Sequence, residues 1–332
     1  YTARTFSSHR YESKLLNSYG HPVPVIAGKL QVPGGGARGV VLETDFSPAE
    51  DRLLIEMDSC YQVPELDSLR RTFIHSREGD GAFVVSDVAV FSEPQTYATA
   101  LITRGQVERI DETTLEIYDF ESALRVEIDA SAAFTLSEER IQENAPVEPT
   151  RLGIALDEPG MEARVALRIT PLEVSTGDAL LPNGDFSRSG FFWSIPADGL
   201  ASISGERAFA GDRSLHITDT SEGRGTNIDS GRVPVEAGRS YTLSGHVYHV
   251  SGSGVGMYVK YLDESGQVLN VSDERGHMEP VGTLEGPEGQ WTPFSFGFTP
   301  PEGTAALRVW IHSYNGAVVE AFVDGLRIAP AD

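Results

Sequence analysis

Apolar residues in this 332-residue chain come in short β-branched or aromatic runs, cut every eight to twelve residues by Gly, Pro, Asp or Ser. "RGVVLETDF", "DRLLIEMDS", "RRTFIHS", "GAFVVSDVAVF", "YATALITRG", "ALRVEIDA" and "ARVALRITPL" show the rhythm in the first half. "SLHIT", "SYTLSGHVYHV", "GMYVKYL", "WTPFSFGFTPP" and "ALRVWIHSYN" carry it through the second. Runs this short with turn residues at this spacing predict antiparallel β-sandwiches, an all-β fold. "TLSEERIQEN" is the one plausible helical piece, and it reads equally well as a strand followed by a loop.

The texture changes near residue 175, where "ITPLEVSTGDALLPNGDF" passes through Ser, Thr, Gly and Asp to a new start. A boundary at 174–178 is expected, with one domain over 1–174 and another over 178–332. No window approaches the roughly 20 consecutive apolar residues of a membrane helix. Cys60 is the single cysteine, so no intrachain disulfide or thiolate cluster can form, and its neighbours suggest a buried strand residue. The net charge is −23, shared as −13 and −10 between residues 1–175 and the remainder. Neither half offers the positive field that nucleic acid requires. Against this acidic background, any local group of Arg, Lys and His stands out.

Side chains alternate between the two faces of a strand, which makes one such group visible. In "ALRVWIHSYN", Leu307, Val309 and Ile311 share one face; Arg308, Trp310, His312 and Tyr314 share the other. In "YTLSGHVYHV" the apolar face is Tyr241, Leu243, Gly245 and Val247, opposite His246 and Tyr248. In "GMYVKYL" it is Met257, Val259 and Tyr261, opposite Tyr258 and Lys260. If the three strands lie in one sheet, their outer faces form a single platform of rings and cations. Sugars suit such a surface, stacking CH-rich faces on rings while hydroxyls and acid groups meet His, Arg and Lys. The cations suggest an acidic polysaccharide. The alternative is that the rings pack beneath a loop or against the first domain.

"LLPNGDFSRSGFFWSI", "GERAFAGDRSLHI", "SYTLSGHVY" and "WTPFSFGFTPPEGTAALRVWIHSYNGAVVEAFVDGLRI", in that order, resemble the jelly-roll carbohydrate-binding modules of extracellular polysaccharide-degrading enzymes. The resemblance covers 178–330 and implies a jelly roll for the second domain. It also implies a structural calcium at Asp324, Asp185, Asn183, Glu206 and Asp212, whose oxygens are of the kind calcium prefers. Asn183-Gly184-Asp185 reads equally as a tight turn.

Residues 1–172, through "NSYGHPVPVIAGKLQ" and "RRTF" followed by "VVSD", resemble the β-sandwich of heparinase II/III-like polysaccharide lyases. In that family an α/α toroid precedes the sandwich and supplies most of the cleft. The chain opens on Tyr1 without a leader, so an upstream toroid on the same polypeptide is expected. Such lyases remove the C5 proton of a uronate and expel the C4 substituent, which needs a base, an acid and a group to neutralise the carboxylate. The resemblance makes His21 in its Gly-His-Pro loop the catalytic candidate, then His9, with Tyr19 or Arg10 assisting. It gives no zinc site, because the His-x-His-like cluster of the zinc-binding members does not occur here. His75 and the pair Arg70-Arg71 read as structural.

The expected function is therefore the glycan-binding C-terminal part of a secreted or periplasmic lyase acting on uronate-containing or sulfated polysaccharide, inactive without its toroid. The alternative is a non-catalytic carbohydrate-binding protein on a lyase-like scaffold. A self-sufficient enzyme finds no support, since no nucleophile elbow, phosphate loop or convincing carboxylate pair is present.

Overall fold

The computed structural model describes residues 5–143, 148–172, 179–269 and 279–331, the side chains of 279–281 apart. The chain divides into two compact units, Tyr1–Tyr118 with Ala123–Leu172, and Asp119–Ser122 with Glu173–Asp332. The boundary expected at 174–178 lies outside the described residues. Both units are antiparallel β-sandwiches, and the second is a jelly roll.

In the first unit, an eight-stranded sheet runs in the order Val40–Phe46, Glu50–Glu56, Leu66–Ser76, Ala82–Gln95, Gly160–Pro171, Ser122–Ala130, Thr114–Asp119, Gln106–Arg109. A four-stranded sheet, Val25–Ile26, Tyr97–Thr103, Thr150–Leu156, Phe134–Arg140, completes the sandwich. The segment with helical character is thus the strand Phe134–Arg140, paired residue for residue with Thr150–Leu156. Leu136 opposite Ile154 explains the choice: alternation puts both against the core, and its charged residues cannot compete with that burial. Ile26, Leu69, Ala89, Phe91, Tyr97 and Ile154 form the centre of this core. One ion pair is sealed inside the same unit. Arg71 donates through Nε and Nη2 to Asp87 at 2.6 and 2.7 Å, and through Nη1 to the Pro22 carbonyl at 2.7 Å, while Tyr97 donates to Asp87 at 2.9 Å. The structural reading of Arg71 is met here.

In the second unit, one sheet runs Trp193–Ser194, Asn227–Ser230, Ala306–Ser313, Val255–Leu262, Glu279–Leu284, with Val233–Pro234 added beside Ala306–Ser313. The other runs Ala201–Ser204, Ser214–Asp219, Val319–Pro330, Tyr241–Gly252, Trp291–Phe298. Strict alternation fills the space between them. Leu307, Val309, Ile311, Met257, Val259, Leu243 and Val247 are all fully buried, each worth about 1.5–3 kcal/mol of transfer free energy. Gly252 and Gly254, at φ 70° and 109°, allow the turn through which the chain leaves one sheet and enters the other.

Candidate functional site

On the outer face of the six-stranded sheet, Tyr258 stands directly opposite Trp310, Lys260 opposite Arg308, and Gly256 opposite His312. Ring centroids of Tyr258 and Trp310 are 4.8 Å apart; Trp310 and His312 stack at 4.7 Å with 15° between planes; Tyr314 meets His312 edge-on at 6.1 Å. This continuous ring surface depends on one missing side chain. A Cβ at Gly256 would come within 2.6 Å of the Tyr258 ring and 2.8 Å of the Tyr314 ring, so only glycine lets both close over that position.

A polar relay through the sheet sets the imidazole. His312 Nδ1 lies 2.6 Å from the Thr226 carbonyl, which can only accept, so Nδ1 carries a proton, and in the neutral ring Nε2 is then the acceptor. Thr226 N–H donates to Ser313 Oγ at 2.7 Å, Ser313 Oγ donates to Asp219 at 2.5 Å, and Asp219 also accepts the Ser221 N–H at 2.8 Å. Asp219 and Ser313 are fully buried. Tyr314 shares a 2.7 Å hydrogen bond with Thr283 Oγ1. The indole Nε1 of Trp310 is buried and has no acceptor among the described residues.

The cations are less available than the sequence suggests. Lys260 Nζ sits 4.7 Å over the Trp310 ring but 2.5 Å from Asp229, which lies opposite Trp310 on the neighbouring strand. Arg308 is 4.0 Å from Glu121 and 5.7 Å over the Phe120 ring, both in the same compact unit. Each positive charge is already matched by a carboxylate.

His246 and Tyr248 do not join this platform. Their strand, Tyr241–Gly252, pairs with Val319–Pro330 and Trp291–Phe298, placing both side chains on the outer face of the five-stranded sheet. The alternation was read correctly, but a sandwich has two outward faces, and the turn at Gly252 and Gly254 sends consecutive strands to different ones. There Tyr248 meets Trp291 edge-on at 5.6 Å, and His246 stacks at 3.4 Å under Phe209. Burial holds the His246 imidazole below its ordinary pKa. Neither Trp291 nor Phe209 was among the sequence candidates. Trp291 has the opposite parity to Phe294, Phe296 and Phe298, which was the signal available; Phe209 sits in a loop and gave none.

In the first unit, His9 is exposed on the 3₁₀ turn Ser8–Glu12, with Nδ1 2.8 Å from Glu12. His21 is exposed just after Ser18–Gly20, and its ring has no hydrogen-bond partner among the described residues. Tyr19 donates to Glu139, which also receives Lys14, and the Tyr19 ring lies 4.9 Å from the Lys14 ammonium and 4.3 Å from the Arg151 guanidinium. Burial, then the bond to Glu139, raises the Tyr19 pKa, which opposes service as a base. No hydrogen bond links His9, His21 and Tyr19. Arg10 lies over the neighbouring Tyr11 ring at 5.6 Å.

Of the residues assigned to calcium, Asp324 is fully buried and accepts three backbone N–H groups, from Phe209 at 2.6 Å, Ala210 at 2.9 Å and Gly325 at 2.6 Å. Desolvation still raises its pKa, and the charge of Asp185 adds to the rise. A carboxylate has about four lone-pair sites, so one remains for a cation. Asn183 is committed elsewhere, donating to the carbonyls of Ser189 and Phe191 and accepting the Arg188 N–H, in the manner of a turn residue. Asp185 accepts from Ser187, and Glu206 and Asp212 are exposed. Among the described residues no group of three or more His, Cys, Asp or Glu is placed to hold a metal, so the five residues do not gather into one cage.

No curated protein matches this chain. Among solved structures, the xylan-binding domain CBM22-1 of Paenibacillus barcinonensis Xyn10C is 15% identical, with a TM-score of 0.34 over 43% of this chain and 87% of that one. A family 16 carbohydrate binding module is 17% identical, at 0.35 over 45% and 99%. Heparinase III, the BT4657 gene product, is 12% identical, at 0.41 over 64% of this chain and 28% of its own. Likeness at this level says nothing of ligand or activity. The sequence of residues 178–316 matches the family model described as a carbohydrate binding domain, so the second unit carries such a domain.

Proposed function

We propose that the second unit binds polysaccharide on the outer face of its six-stranded sheet, one sugar ring stacking on Trp310 and the next on Tyr258. The observation that carries this reading is the pair of rings 4.8 Å apart, with Tyr258 and Tyr314 closed over the bare position of Gly256. His312 Nε2 accepts a hydrogen bond from a sugar hydroxyl. Because Lys260 is matched by Asp229 and Arg308 lies beside Glu121, selection on this face works through stacking and hydroxyl contacts, which suits a neutral chain. Trp310→Ala tests it: loss of a stacking anchor costs about 1–3 kcal/mol, which affinity electrophoresis in gels containing arabinoxylan or mixed-linkage β-glucan reads as lost retardation. Retardation equal to the parent's removes Trp310 from the site.

The wider reading is that the chain belongs to a secreted or periplasmic polysaccharide lyase of the heparinase II/III type, with the sandwich of residues 1–172 beside a catalytic toroid. Its support is the sequence resemblance of that region. With Tyr19 held protonated and both histidines unlinked to it, the present residues alone release no unsaturated uronate; ultraviolet-absorbing product from this chain on uronate polymers would contradict that. A structural calcium at Asp324 belongs to the same reading.

A further inference from the structure

Outward faces of solvated sheets are ordinarily dressed with polar side chains, yet the five-stranded sheet of the second unit carries a row of rings across four adjacent strands. His216 is opposite Phe322, Phe322 opposite Tyr248, and Tyr248 opposite Trp291. The row is continuous: His216 stacks on Phe322 at 4.1 Å, Phe322 meets Tyr248 at 6.3 Å, and Tyr248 meets Trp291 at 5.6 Å. Phe322 is fully covered, but Tyr248 and Trp291 are partly open, and Phe209, 49% exposed, extends the surface 5.9 Å from Trp291.

One cation lies on this row. The Arg207 guanidinium is 4.7 Å over the Tyr248 ring and 5.9 Å from that of Phe322, and no carboxylate among the described residues pairs with it. Glu320, on the same strand as Phe322, is engaged by His216 at 3.1 Å. The contrast with Lys260 and Arg308 on the other face is plain: those charges are spent within the fold, and this one is not. The segment bearing Arg207 and Phe209 is also fixed. Ser214 Oγ donates to the Arg207 carbonyl at 2.6 Å, and the amides of Phe209 and Ala210 bond to buried Asp324. Both side chains are therefore presented from a set backbone, which reduces the ordering cost of binding.

We propose that this face is a second glycan-binding site, specific for acidic sugar residues, in which Phe209 and Trp291 receive the ring and Arg207 receives its carboxylate as a planar, two-pronged donor. The proposal rests on the glycan-binding reading of the second unit but uses none of the residues of its first platform.

The test is affinity electrophoresis of the full chain in gels containing alginate, a uronate polymer, or arabinoxylan, a neutral one, with Arg207→Gln, Phe209→Ala and Trp310→Ala compared. Expected are an alginate affinity lowered about 10- to 100-fold in Arg207→Gln, a similar direction in Phe209→Ala, weakening of the parent's alginate affinity by added salt, and arabinoxylan retention unchanged in both. Unchanged arabinoxylan retention also certifies that the variants are folded. Parental alginate retention in Arg207→Gln and Phe209→Ala overturns the proposal, as does a parent held by arabinoxylan but not by alginate. Loss of alginate binding in Trp310→Ala alone puts the acidic sugar on the first platform and also overturns it. Sedimentation covers the remaining occupant: if the two variants abolish self-association while leaving alginate retention intact, the face joins copies of the chain and the proposal fails. Loss of arabinoxylan retention in Trp310→Ala reports on the first platform separately.

Discussion

Gly256→Ala adds a single methyl group at the centre of the first platform. Its Cβ would stand 2.6 Å from the Tyr258 ring and 2.8 and 2.9 Å from Tyr314 Cε1 and Oη, against an ordinary contact limit of about 3.4 Å or more. The neighbours are ends of side chains, so both rings swing outward by somewhat under an ångström and the backbone stays. Overpacking of this kind costs about 1–3 kcal/mol. Replacing a strand glycine returns about 0.5–1 kcal/mol through the unfolded chain, so the net loss of stability is small. Binding suffers more, because the Tyr258–Trp310 pair opens and Tyr314 is forced from its bond to Thr283. Losing one aromatic pair at about 0.5–1.5 kcal/mol, plus the misplaced anchor, predicts about a 10-fold weaker hold on arabinoxylan, with a melting temperature within a few degrees of the parent. Paired thermal unfolding and affinity electrophoresis read both quantities. A variant that binds as the parent does refutes the claim that this position is kept bare for the rings; one that fails to fold refutes the claim that the strain is confined to them.

Arg71→Ala strands Asp87 inside the first sandwich without its bidentate partner, and urea unfolding should show about 3–5 kcal/mol lost; a loss under about 1 kcal/mol contradicts the burial of that pair. Glu139 is held below the usual carboxylate value of 4.5 by hydrogen bonds from Lys14 and then Tyr19. Because its folded pKa is depressed, its stabilisation is present above the ordinary value and lost as pH falls through the folded one. The melting temperature of Glu139→Gln should therefore fall less steeply than the parent's below about pH 4.5, and parallel curves would count against the Lys14, Tyr19 and Glu139 network. Calcium at millimolar concentration should raise the parent's melting temperature and leave Asp324→Asn unmoved, whereas an identical response in the two removes Asp324 as a ligand.

Much of the architecture was legible because alternation is a local property. Each of the three strands read by parity has the predicted face buried, down to the fully buried Leu307, Val309 and Ile311. Which sheet a strand joins is not local. Tyr248 and Tyr258, ten residues apart, occupy opposite sides of one sandwich because a two-glycine turn separates them, and parity is blind to that crossing. Charge pairing was equally hidden: Asp229 finds Lys260 through strand order, and Glu121 finds Arg308 across most of the sequence. The Asn183 amide was read as a ligand or a turn, and its bonds to Ser189, Phe191 and Arg188 favour the turn.

The relay from Asp219 to His312 runs from the hydrophobic interior to the solvent side of one sheet. Its consequence is that the Thr226 peptide, whose carbonyl faces the His312 ring, is positioned from within by a carboxylate that solvent does not reach. Asp219→Ala would leave Ser313 Oγ without its buried acceptor and loosen the Thr226 peptide, so the imidazole would keep its tautomer and lose its fixed orientation. The set of a side chain on the outer face is thus maintained from behind the sheet.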